Sequence, residues 1–383
     1  MAEHTGIEWC DATFNPWWGC EKVSPGCAHC YADTLSKRYA NGVQLWGDGH
    51  EFRFFDDKHW AEPLKWARTL PAKLGRRPRV FCASMADVFE ERPELVEPRA
   101  RLFNLIAETP ELDWLILTKR PEYARDVFAA WDRWDDEYNG PDEKLWPLPN
   151  VWMGVSIENA RYSWRADVLR EIPAAVRFIS AEPLLGSLYP SEDTWSPQSS
   201  SGSQLSTSRS STPSTTLRGS SPTGLTLDRS AIRRARSETE TESSSVPSST
   251  ISSSSRSATS GRAPLDLTGI DWIIIGGESG PKSRPSHLEH AREIIDRCIH
   301  LCESCARAYY EDGITPTAPV CTGRPALFVK QLGAKPHMDV PAFDGSGPRS
   351  CRIHLRDRKG GDWSEFPVDL KIREFPQSAA VPA

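Results

Sequence analysis

An α/β fold is what this sequence predicts, a barrel of parallel strands that need not close, and three observations carry it. The first is a set of short β-rich runs that are apolar almost throughout, as strands buried on both faces must be. They are Arg79–Ser84, Asp113–Thr118, Val151–Ser156, Val176–Ser180, Asp271–Ile275 and Ala326–Lys330, with an earlier strand expected within Ile7–Phe14. The second is the pattern between them. Pro93–Thr109, Pro121–Trp134 and Ser286–Tyr310 read as amphipathic helices, and strand–helix alternation is the pattern of a parallel sheet. The third is the count, since six or seven such units favour a barrel, incomplete or not, over an open sheet.

Composition sets the outer bounds. Hydrophobic residues are 38% of the 383, which is low, but the deficit is local. Positions 196–262 hold 25 serines in 67 residues and too little apolar surface to offset the entropy of ordering, so they read as a disordered insert. The expected organisation is a first barrel part (1–195), the Ser-rich insert (196–262), a second barrel part (263–335) and a C-terminal extension (336–383). A net charge of −6 argues against a generally basic nucleic-acid binder. No apolar run is long enough for a membrane span, and the start MAEHTGIEWCDAT has neither the basic nor the apolar region of a secretory signal. The expected compartment is the cytoplasm. There, ten cysteines point to metal ligation or redox chemistry before disulfides.

Three of those cysteines form the central motif, Cys20, Cys27 and Cys30, with C-x6-C-x2-C spacing. Pro25 and Gly26 let the loop turn back on itself. Three thiolates leave a position open, whereas a closed zinc site takes four ligands. A 4Fe–4S cluster held by three cysteines has one iron free to bind something else. The loop follows the first expected strand, which puts it at a barrel mouth. The other strands end in polar residues that would meet it there: Asp87, Lys119 and Arg120, Ser156, Glu158 and Asn159, Glu182, then Gly276, Gly277 and Glu278, and finally Lys330. Each has a plainer reading. Glu158 and Glu182 can cap following helices, and Arg120 can simply pair with Glu122. His29 and His50 are weaker candidates, and Trp17 and Trp18 either shield a cluster or pack in a core.

The loop is similar to the cluster loop of radical S-adenosylmethionine (SAM) enzymes. More closely, the chain resembles an uncharacterised phage-associated family of radical-SAM-like proteins. The stretches that carry the resemblance are TGIEWCDATFNPWWGCEKVSPGCAHCYA, SMADVF, LILTKRPE, NVWMGVSIEN, RFISAEPLLG and IIIGGESGP. The resemblance implies a partial (β/α) barrel of the radical-SAM type, a 4Fe–4S cluster on Cys20, Cys27 and Cys30, SAM on the open iron, and an electron donor as partner. Ser156, Glu158, Asn159, Glu182, Gly276, Gly277 and Glu278 are then the candidates for holding SAM. Asp87, Lys119, Arg120 and Lys330 are candidates for the substrate, with a nucleotide or nucleic acid as one class. The sequence also departs from the common pattern. The first cysteine gap is six rather than three, His29 precedes the last cysteine where an aromatic is usual, and Gly-Gly-Glu follows a late strand rather than the second.

A second group, Cys298, Cys302, Cys305 and Cys321, suits zinc or an auxiliary cluster. Its first three members also fall at 4,3 spacing in a helical pattern, on one face with Ala291, Ile294 and Ile295, which is the pattern of inert core cysteines. The rival to an enzyme is a zinc- or cluster-stapled nucleic-acid-binding or interaction protein. Its support is the aromatic and basic stretch Trp46–Arg79, weakened by interleaved acids. IIIGGESG has the wrong glycine spacing for a dinucleotide fingerprint.

Overall fold

The computed structural model describes residues 5–39, 42–139, 147–189, 264–280, 282–310, 323–342 and 346–376. The Ser-rich insert lies outside the described residues. Seven parallel strands form one sheet, each hydrogen-bonded to the next in sequence order. They are β1 (Ala12–Thr13), β2 (Arg79–Cys82), β3 (Asp113–Thr118), β4 (Val151–Ser156), β5 (Val176–Ala181), β6 (Trp272–Gly276) and β7 (Ala326–Gln331). The expected first strand shrinks to two residues, with Ala12 beside Val80 and Thr13 beside Phe81.

Period-2 alternation sends each strand's side chains to two different cores. Val80, Trp114, Ile116, Met153, Val155, Ile179, Ile273 and Val329 face outward, into the layer shared with the helices. Phe81, Leu115, Trp152, Phe178, Trp272, Ile274 and Phe328 face inward. The sheet curls around this inner set. Trp9, just before β1, packs its ring 4.6 Å from Phe81 and also 6.2 Å from Trp272 on β6, a contact a flat sheet would forbid. The result is a partial (β/α) barrel with an aromatic plug, as the strand patterns predict. At Gly154 there is no room for a Cβ, because the Phe178 ring fills that space.

The outer helices include α1 (Tyr31–Ser36), α2 (Glu62–Leu74), α3 (Val96–Ala107), α4 (Pro121–Asn139) and α5 (Trp164–Glu171). The single helix expected over Ser286–Tyr310 is two, α6 (Leu288–His300) and α7 (Glu303–Tyr310). The chain turns at Leu301 and Cys302, and Ser286–His287 before α6 is a short strand. That strand joins Pro336–Pro341 and Pro348–Arg352 in a separate three-stranded sheet.

The expected C-terminal extension packs against the barrel. Glu374 N donates to Leu327 O at 2.7 Å and Val329 N to Ile372 O at 2.9 Å, so residues 372–374 pair with the free edge of β7. Such a cover removes an exposed strand edge. Glu374 also accepts two bonds of 2.7 Å from buried Arg324, and its carbonyl accepts the Trp272 indole N–H at 3.0 Å. Phe375 then passes under the plug to stack beneath Arg79, 3.6 Å away, and Arg373 pairs with Glu8 at 2.8 Å. Among the described residues, no helix is long and apolar enough to cross a membrane.

One buried charge gives a pH test. Asp113 opens β3, 3.7 Å from Arg77, with both side chains almost fully buried. Burial raises the Asp113 carboxyl to about 6, although Arg77 and Arg79 oppose it. A carboxyl raised above its unfolded value stabilises the fold below the unfolded pKa and loses that contribution as pH rises through the folded one. The wild-type stability relative to Asp113→Asn should therefore decline by about 2 kcal/mol between pH 4 and pH 7. Urea unfolding at the two pH values measures it, and an unchanged difference would place Asp113 in contact with water.

Candidate functional site at the barrel mouth

Above the aromatic plug the inward side chains change character. Ser156, Glu182, Gly276 and Lys330 continue the inner rows of β4–β7, and Lys119 continues that of β3. Lys119 Nζ donates to Ser156 Oγ at 2.9 Å. Lys330 Nζ donates to Glu182 Oε1 at 2.7 Å, and Gln331 Nε2 reaches the same oxygen at 3.2 Å. A Cβ on Gly276 would sit 3.0 Å from the Glu182 carboxyl carbon, so glycine there leaves room for that side chain. Gly277 serves packing instead, with Leu332 O and Gly333 Cα where a Cβ would go.

The cysteine loop lies across this mouth and is held at four strand ends. Over β3, Arg120 Nη1 sits 3.8 Å from Cys20 Sγ while Nη2 donates to Glu21 O at 3.0 Å. Over β4, Ser24 Oγ donates to Glu158, and Gly26 lies so close to the same carboxylate that a Cβ would overlap it. Beyond β6, His29 Nδ1 meets Glu278 Oε2 at 3.2 Å. Beyond β2, Tyr31 Oη donates to Ser84 O at 3.0 Å. The loop holds a single 3-10 turn, Pro25–Cys27, and after three more residues α1 begins, with Cys30 as its N-cap. Cys20 and Cys30 both pack against the small cluster of Ala32, Leu45, Trp46 and Met85. All three thiols are free and half-buried.

Several expected site residues turn out to hold the loop. Glu158 is fully buried; its second oxygen accepts from Arg165 Nη1 at 3.1 Å, and Arg165 also donates to Ser156 O. Asn159 caps the next turn by accepting from Arg161 N at 3.0 Å. Asp87 is buried and accepts from Phe89 N, Thr118 Oγ1 and Lys119 N, with Arg120 Nη1 3.1 Å away. Burial pushes its carboxyl up, but Arg120 and these donors win and hold it below the ordinary carboxylate range. Its work is to aim Arg120. Burial is also the largest influence on Cys20 and pushes its thiol up, aided by Asp87 and Glu90 and opposed by Arg120. Glu278 accepts from Arg284 Nη2 at 2.6 Å and from Arg284 N at 2.7 Å. Those bonds outweigh burial and lower its pKa.

The sequence reading passed over Arg165, Glu90, Asn15 and Arg284. Glu90 accepts from Glu21 N at 3.1 Å and lies 3.2 Å from His50 Nε2, which makes His50 part of the loop's support. Asn15 Oδ1 accepts from Met85 N at 2.7 Å and fixes the end of β2. Asn15 stands inside the FNPWWGC stretch, which was a usable signal; Arg165, mid-helix, offered none.

A family model described as "Protein of unknown function (DUF5131)" matches residues 4–304. The chain belongs to this family. The match includes the cysteine loop and β1–β6, and it stops before β7 and the segment that covers its edge. No curated protein matches this DUF5131 chain. Among solved structures it is similar to a spore photoproduct lyase double mutant with bound AdoMet and dinucleoside spore photoproduct. The identity is 14% and the TM-score 0.29, over 48% of this chain and 48% of that one. The DUF5131 chain thus spans about half the length of that structure.

Three members of the second cysteine group lie among the described residues. Cys298 is fully buried in the outer core, and burial pushes its thiol up to about 12. Cys302 sits at the break between α6 and α7, its Sγ 3.0 Å from Ser304 Oγ. Cys305 accepts from Arg324 Nε at 3.4 Å. The 4,3 helical spacing fails because the helix ends between Cys298 and Cys302. Cys321 lies outside the described residues.

Proposed function

We propose that this chain is a radical-SAM-type enzyme whose cofactor is a 4Fe–4S cluster on Cys20, Cys27 and Cys30. The observation that carries the reading is the placement of the loop. Three free thiols on eleven residues of chain lie over the carboxyl ends of a parallel partial barrel, where such folds build active sites.

When bound with SAM and given one electron, such a cluster supplies a 5′-deoxyadenosyl radical. The chain's own residues do the rest. Arg120 sets its positive charge beside Cys20 Sγ, and the buried Glu158–Arg165 pair seats the Ser24–Gly26 turn. Ser156, Glu182 and Gly276 line the space under the loop and offer a hydroxyl, a carboxylate and bare backbone to SAM. Glu278, fixed by Arg284, holds His29 on the opposite side. Among the described residues, Lys119 is the rim cation here with no carboxylate partner, which suits it to an anionic group, the phosphate of a nucleotide included. The Phe81, Trp152, Phe178 and Trp272 plug closes the floor to water.

Anaerobic reconstitution with iron and sulfide, followed by SAM and a reductant, tests the reading. The expected result is a brown protein that releases 5′-deoxyadenosine. A colourless chain that releases none would overturn it.

A further inference from the structure

Away from the barrel mouth, the three-stranded sheet and the start of α6 bring a second donor set together. His287 on the first strand lies in register with His337 on the next, and that strand's Asp339 is paired with Ser350 on the third. His337 and Asp339 are two residues apart, so both point to one face of the sheet. Glu289 and His290 enter from the first turn of α6. The ring of His287 is 5.4 Å from that of His337 and 5.5 Å from that of His290.

Ligand atoms of His287, Glu289 and Asp339 all lie within 4.8 Å of one another, the one such group of three among the described residues. Glu289 is half satisfied. Its Oε1 accepts from Asp339 N at 2.9 Å and from Arg292 Nη1 at 3.1 Å, while its Oε2 is buried without a hydrogen-bond partner. An orphaned buried carboxylate oxygen is costly unless something fills the gap. His290 Nδ1 is likewise buried and unpartnered. Ser350 Oγ sits 3.4 Å from His287 Nδ1 and 3.5 Å from His337 Nδ1, within reach of both rings. Metal-binding imidazoles are commonly oriented through the ring nitrogen that does not bind the metal.

We propose that His287, Glu289 and Asp339, with His337 beside them, bind a divalent transition metal of the zinc class. Mixed imidazole and carboxylate donors suit that class, and bond lengths near 2.0–2.2 Å would require only small side-chain movements from the present spacing. Two carboxylates offset the ion's charge, while Arg292 reaches Glu289 only at Oε1 and is also paired with Asp369 Oδ2 at 2.6 Å. The metal pins the N-terminus of α6 to the C-terminal sheet. It is independent of the cysteine loop.

The test is zinc stoichiometry of the full chain after dialysis against Zn2+, compared with His287→Ala and Asp339→Asn. The wild type should hold one equivalent more than either variant. With Co2+ in place of zinc, that extra equivalent should show d–d bands but no thiolate charge-transfer band. Asp339 is exposed, so D339N keeps the fold even where H287A does not. Equal metal content in the wild type and D339N, or a thiolate band on the extra equivalent, would overturn the site.

Discussion

Replacing Cys27 with alanine is expected to abolish both the brown absorbance and 5′-deoxyadenosine release, with the far-ultraviolet circular dichroism unchanged. Cys27 ends the Pro25–Cys27 turn, its N–H donating to Ser24 O at 2.9 Å. Alanine keeps that bond and that backbone. The turn's seat on Glu158 is made by Ser24 and Gly26, so it survives as well. What is lost is one sulfur of three. Cys298→Ala gives the contrast: that thiol is fully buried in the outer core, so its removal lowers stability and leaves the product. If C27A still released 5′-deoxyadenosine at the wild-type level, the metal assignment of the loop would be wrong.

Arg165→Ala is expected to be the most damaging single change to stability at the site. Arg165 and Glu158 are 2% and 0% exposed and 3.1 Å apart. Removing the guanidinium leaves a carboxylate in the interior with only Ser24 to answer it, and strips a donor from Ser156 O. Breaking a buried pair in this way costs about 3–5 kcal/mol. Glu158→Gln in the R165A background should recover part of the loss, since it removes the stranded charge. Equilibrium urea unfolding measures both. A loss under about 1 kcal/mol would show that water reaches Glu158. Because Glu158 also seats the cysteine turn, R165A should load iron poorly as well.

The strands and the loop were legible in the sequence for different reasons. Strands buried on both faces leave unbroken apolar runs, and all six later ones are where DWLILT, VWMGVS and their fellows predict them. The cysteine spacing is a local signal and needs no partner to be seen. What the sequence concealed was long-range. Glu158 reads as a strand-end carboxylate open to a cofactor, but its partner Ser24 is 134 residues away. Asp87 reads as a substrate contact, yet three donors and Arg120 enclose it. The break at Leu301–Cys302 is masked by a helical pattern that runs through it. His287-x-Glu289 and His337-x-Asp339 mean little apart and become a donor set only through the parallel pairing of their strands.

The last stretch of the chain acts as a buckle on the barrel. It lies on β7, passes beneath Trp272 and reaches back to β2 and Glu8. No fragment that stops short of Phe375 can fasten it. Expression boundaries drawn at the end of the family match would yield an unlatched sheet with a raw edge, prone to recruit strands from other molecules. Truncation series for this protein should therefore keep Phe375 in every member.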